Sequence, residues 1–181
     1  MKELNLLIDF LNDLPEKGID FYPVTNTFSR QFLEKANLSE LKIIGRTQAD
    51  CLVGLLMKKK EYGHDTKEGQ IVWIDSEGEP NAVIAENIKE FISLLYFDTG
   101  FIYDIIKKII RNINYTPMTT DEIKMYEISA AKAYPSYNML KKFFETELKI
   151  RKPDNPDMLI KNAYTRNMDF SNWLNNVTGT G

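Results

Sequence analysis

The sequence predicts an α+β fold, a small mostly antiparallel sheet flanked by N-terminal and C-terminal helices, and three observations carry that expectation. Ile71, Val72, Trp73 and Ile74 form an unbroken apolar run rich in β-branched and aromatic side chains, the composition of a strand buried on both faces. Asp75-Ser76-Glu77-Gly78-Glu79-Pro80 then supplies turn chemistry, and residues 81–85 form a second short apolar run, so the pair reads as a β-hairpin with a polar tip. On both sides of this stretch the apolar residues recur at helical spacing instead.

Taken in order, Leu4, Leu7, Ile8, Leu11 and Leu14 fall on one face of a helix that Pro15 and Gly18 close. Thr25 or Asn26 caps a second helix with Phe28, Phe32, Leu33 and Ala36 facing inward. Residues 41–45 and 50–57 read as strands joined by an Arg46-Thr47-Gln48-Ala49 turn, and 58–68 as a charged loop holding the single histidine, His64. After the hairpin, Asn87 accepts the first free N–H groups of a helix, Glu90 sits where a capping-box acid reaches back, and Ile88, Phe91, Ile92, Leu94 and Leu95 lay a stripe on the sheet. Asp98-Thr99-Gly100 breaks the register. Phe101, Ile102, Ile105, Ile106, Ile109 and Ile110 resume it, with Lys107, Lys108 and Arg111 on the wet side. Thr119 or Thr120 starts the next helix, with Asp121 and Glu122 in its favourable first turn, and Pro135 ends it. Ser136 caps a helix with a Met139, Leu140, Phe143, Phe144 and Leu148 stripe. The Pro153-Asp154-Asn155-Pro156 turn leads to a last helical segment ending near Trp173, Leu174 and Val177.

The stretch from Leu41 to Phe97 resembles the SUKH superfamily, which includes fungal cell-wall-assembly regulators and many bacterial immunity proteins. The similarity lies in the apolar strand, the Ser-Glu-Gly-Glu-Pro tip, the Val-Ile-Ala strand and the helix reading Glu-Asn-Ile-Lys-Glu-Phe-Ile-Ser-Leu-Leu. Upstream, Ile44-Gly45-Arg46-Thr47-Gln48-Ala49-Asp50 is similar to the Gly-x-Thr-Gly-x-Asp segment of some members, with Gln48 where those have the second glycine. The resemblance implies a SUKH-like α+β core, placed over residues 1–97; the helical C-terminal extension over 98–177, packed on it, and the disordered tail at 178–181 lie outside the resemblance and are read from helical spacing and terminal position. The resemblance also implies a non-enzymatic protein-binding module without cofactor, an immunity protein neutralising a cognate bacterial toxin. The alternative is a regulatory scaffold that binds a host protein through the helical extension.

Charge and composition bound the partners. Residues 1–100 hold 11 Lys/Arg against 17 Asp/Glu, and residues 101–181 hold 12 against 9. An acidic first part lacks the clustered basic face that nucleic acid needs and suits a protein partner with basic patches, such as a toxin with a basic surface. No apolar run reaches the ~20 residues that span a bilayer, and Asp9 and Asp13 interrupt any signal-peptide core, so a soluble cytoplasmic protein without membrane association is expected. The single cysteine, Cys51, excludes an internal disulfide and fits a reducing compartment; among Leu52, Val53, Leu55 and Leu56 it reads as a buried small residue, not a nucleophile.

His64 has no serine elbow or second histidine to work with, and zinc arrangements lack ligands. Asp98-Thr99-Gly100 matches half of an aspartic-protease signature, but one copy inside a helical pattern reads as a helix break. Asp75, Glu77 and Glu79 alternate and would point one way in an extended segment, which suits a cation, an acid/base pair or a solvated tip. A better use is an acidic tip beside an aromatic, Trp73 or Tyr96, that anchors a basic partner. The expected partner-binding surface is therefore Arg46, Asp50, Trp73, Asp75, Glu77 and Glu79, with no catalytic or metal-ligating residue.

Overall fold

The computed structural model describes residues 2–24, 41–57, 69–75, 80–112 and 114–178. The second predicted helix, the His64 loop, Glu77 and Glu79 fall outside these residues. Helix α1 spans Lys2–Asp13 and buries Leu4 and Leu7, as its spacing predicts. Five strands follow: β1 (Tyr22–Pro23), β2 (Leu41–Arg46), β3 (Leu52–Leu56), β4 (Gln70–Ile74) and β5 (Ala82–Ala85). They pair in sequence order, every neighbour antiparallel, so the described strands form the sheet that the α+β class requires.

Both faces of the sheet are covered. Ile71 and Trp73 of β4, Val53 and Leu55 of β3 and Ile84 of β5 point into one apolar cluster, whereas Val72, Ile74, Leu52 and Val83 point into another. Since side chains alternate along a strand, a β4 without a polar residue among its central positions is what two covered faces demand. Gly54 lies within this arrangement for want of space: an added Cβ would stand 2.6 Å from Leu41 and 3.0 Å from Val72. At Gly45 the Phe21 ring comes closer still, 2.2 Å from where a Cβ would sit, which explains the glycine after Ile44.

The first face is closed mainly by α2 (Ile88–Leu94), a 3₁₀ turn (Leu95–Phe97) and α3 (Asp98–Arg111). Asn87 caps α2 as expected, accepting from the Glu90 N–H at 3.0 Å. Glu90 reaches one residue further back than the expected box, to the N–H of Glu86 at 3.0 Å. The register break at Asp98 is real: φ is 75° there, a value that costs a non-glycine residue about 1–3 kcal/mol. Beyond it Phe101, Ile102, Ile105, Ile106 and Ile109 are buried, but Ile110 is exposed, because the stripe turns away from the core before the helix ends.

Helix α4 (Thr120–Ala133) starts at the first of the two candidate threonines, Thr119, which forms a capping box with Glu122. Helix α5 (Tyr137–Thr146) begins after Ser136 as expected, but the Ser136 side chain makes no capping bond; its N–H donates instead to Lys17 O at 3.3 Å. Met139 is also out of the stripe, exposed to solvent. The single last segment of the sequence reading is two helices, α6 (Pro156–Arg166) and α7 (Phe170–Thr178). Asn167 interrupts them: its side-chain amide donates to Ala163 O at 2.8 Å and its carbonyl accepts from Phe170 N at 3.0 Å. That break lets α6 lie along β5, placing Ile160 in the first cluster and Ala163 in the second, while Phe170 and Leu174 of α7 close the second face. Among the described residues no helix is long and apolar enough to cross a membrane.

Candidate functional site

Of the residues that the sequence assigns to a partner surface, two meet at the surface. Arg46 ends β2 and Asp50 ends the following turn, where Thr47 N–H donates to Cys51 O at 2.9 Å and Asp50 N–H to Thr47 O at 3.1 Å. Asp50 takes φ 58°, which aspartate tolerates better than most side chains. The Arg46 guanidinium then lies 3.8 Å from the Asp50 carboxylate, with side chains 49% and 64% exposed. An exposed pair of this kind contributes little to stability, at most about 1 kcal/mol.

Trp73 and Asp75 do not join them. Trp73 is 1% exposed, in the first apolar cluster, its ring 6.3 Å from that of Tyr103. Its indole N–H has no hydrogen-bond partner among the described residues. Tyr96, the other proposed aromatic anchor, is also fully buried; its hydroxyl donates to Ile150 O at 2.9 Å, and burial, with Glu145 and Glu127 beyond, pushes its pKa up to about 12. Asp75 is 6% exposed: its N–H donates to the Asn81 side chain at 3.1 Å, and the Cys51 thiol lies 3.6 Å from its carboxylate. The burial of Cys51 follows the sequence reading, whereas that of Asp75 corrects it. A strand covered on both faces carries its last residues inside, so the alternation of Asp75 with Glu77 and Glu79 does not make an exposed row beginning at Asp75.

What surrounds Arg46 instead is a polar network that joins four distant segments. Asp20 is its hub: its carboxylate accepts from the Lys17 ammonium at 3.0 Å and from the Gln48 N–H at 3.0 and 3.1 Å. The Thr99 hydroxyl donates to Asp20 O at 3.0 Å. Asp98 accepts from Thr99 N–H at 2.7 Å, from Asp20 N–H at 3.3 Å and from the Tyr134 hydroxyl at 2.6 Å. These bonds offset the unfavourable backbone of Asp98, and burial together with the Asp98 carboxylate drives the Tyr134 pKa upward, so Tyr134 stays a neutral donor. Burial opposes the charge on Lys17, but the Tyr22 hydroxyl and Asp20 outweigh it and hold its pKa above the ordinary lysine value.

Above the network stands Tyr22, 38% exposed, with the Lys17 ammonium 4.8 Å and the Arg46 guanidinium 6.0 Å from its ring centre. An amphipathic ring between two cations, braced from beneath by tied carboxylates, is a rigid, mixed-charge patch. The sequence signal for it was the Asp98 register break; Lys17, Asp20 and Tyr134 carry no local mark, and Asp20, 78 residues from Asp98 along the chain, meets it only through the fold. Among the described residues no three His, Cys, Asp or Glu side chains are grouped to hold a metal ion. Comparison with protein-family models, curated proteins and solved structures gave no match for the chain.

Proposed function

We propose that the chain is a non-enzymatic protein-binding module, an immunity protein that neutralises a bacterial toxin by covering its working surface, with the Tyr22–Arg46–Asp50 corner as part of the contact. One observation carries this reading: an exposed tyrosine flanked by an arginine and a lysine on a base held by hydrogen bonds from four segments. Tyrosine and arginine dominate binding hot spots, and a preorganised base lowers the ordering cost of association. The SUKH-like strand and helix pattern supports the same class. Arg46 and Asp50 present both signs of charge, so the partner would offer a complementary pair and not a uniformly basic face.

The test is capture from lysate of the source organism followed by co-expression. A captured protein that is toxic alone and harmless beside this chain, with Arg46→Glu weakening the complex by about tenfold or more, supports immunity. Captured proteins without toxicity, or full neutralisation by Tyr22→Ala combined with Arg46→Glu, would remove it. A regulatory scaffold is the second reading, favoured by Met125, Ile128 and Met139, which stand exposed on α4 and α5; there, charge substitution at Met125 and Ile128 would abolish capture while Arg46→Glu would not.

A further inference from the structure

Between the end of α3 and the start of α4 the described residues enclose a cleft of about 520 Å³, within the size range of small-ligand sites. Lys108 and Arg111, from the last turn of α3, stand on one wall, and Thr116 and Glu122 also line it. The floor is fixed from below. Asp157, 1% exposed, accepts both the Tyr115 hydroxyl and the Met118 N–H at 2.9 Å, pinning the linker that carries Tyr115, Pro117 and Met118. Lys161 adds a third positive charge behind Tyr115, 3.4 Å from its carbonyl oxygen and 5.7 Å from its ring centre.

Two cations face one acid on this lining: the Thr119 N–H and hydroxyl, and after them the Lys108 charge, hold the Glu122 carboxyl below its usual range. Neither Lys108 nor Arg111 is in an ion pair among the described residues. Glu122, the acid on the lining, is committed to the capping box, its carboxylate accepting from Thr119 N–H at 2.7 Å and from the Thr119 hydroxyl at 2.8 Å. The start of α4 is therefore served by the protein's own carboxylate, and the attraction for an anion comes from the facing lysine and arginine. We propose that the cleft binds a small organic oxyanion, a carboxylate or phosphate monoester on an apolar body of about one ring. Lys108 and Arg111 hold the charged head, and Pro117 and Met118, over the buried Tyr115, take the body. This site is separate from the Tyr22 corner and stands whether or not the chain binds a toxin.

The test is a titration of the whole protein with benzoate and with phenyl phosphate, followed by amide NMR. Saturable shifts confined to residues 108–122, with a dissociation constant of about a millimolar or tighter, are expected with at least one probe, and added salt should weaken them. The probe that binds more tightly identifies the head group. The Lys108→Ser, Arg111→Ser double variant should lose about tenfold in affinity or more while keeping the parent melting temperature, as both side chains are exposed. Arg151→Ser, in the separate cleft beside Glu145, should leave the titration unchanged. No saturable shift with either probe, or equal binding by the double variant, would overturn the proposal.

Discussion

The two faces of the sheet are built from alternate residues of the same strands, yet they are different environments. The first packs Trp73, Phe91, Phe97, Phe101 and Phe144 with tyrosines whose hydroxyls reach backbone or carboxylate oxygens. The second is smaller and aliphatic on the strand side, Leu52, Val72, Ile74 and Val83, closed by Ala163, Phe170 and Leu174. Helices from the second half of the chain thus cover a face that the hairpin and α2 leave bare. An aromatic face gives large burial and needs its polar tips satisfied; an aliphatic face has fewer obligations and less to lose.

Substitutions on the two faces should separate accordingly. Trp73→Ala should cost the most, about 3–5 kcal/mol in urea unfolding, because it empties the largest fully buried side chain. Trp73→Phe sharpens the point: it removes an indole N–H that lacks a partner and should cost about 1.5 kcal/mol or less. On the other face Leu174→Ala should cost about 2–3 kcal/mol, and a loss equal to that of Trp73→Ala would contradict the distinction.

Alkali should act on the first face selectively. Burial, the largest cause, together with neighbouring carboxylates, pushes Tyr96 and Tyr126 up to about 12 from an ordinary 10.0. A folded pKa above the unfolded one means that the stabilising contribution is complete below pH 10 and is lost as pH rises towards 12. Unfolding midpoints should therefore fall over that interval, and Tyr96→Phe should lessen the fall; an unchanged slope would mean that Tyr96 is not held neutral by the fold. The smallest effect belongs to Lys89→Ala, which removes an exposed ammonium 3.4 Å from Glu3 and should change stability by about 0.5 kcal/mol or less.

The contrast also explains what the sequence discloses. Local chemistry is legible: the Asn87 and Thr119 caps, the apolar run of β4 and the break at Asp98 each depend on a few neighbouring residues. The direction of a strand end is not. Asp75 looked like the first residue of a wet tip because its charge is visible and its partners, Asn81 and Cys51, lie across the hairpin and just before β3. Likewise Ile110, Met125 and Met139 have core chemistry at helical spacing, and only the position of neighbouring helices decides that they stay outside. The corner at Tyr22 was half legible, through Arg46 and Asp50, since the carboxylates beneath it come from residues 20 and 98.

The two outer strands restrict how anything can attach to this sheet. β1 contributes two residues, and Pro23 has no N–H to donate; β5 lies under α6. A newcomer therefore finds no ladder of backbone groups to extend along the described strands. Along these described edges the indiscriminate edge-to-edge growth that open sheets invite is therefore hindered, and a contact made there falls to side chains.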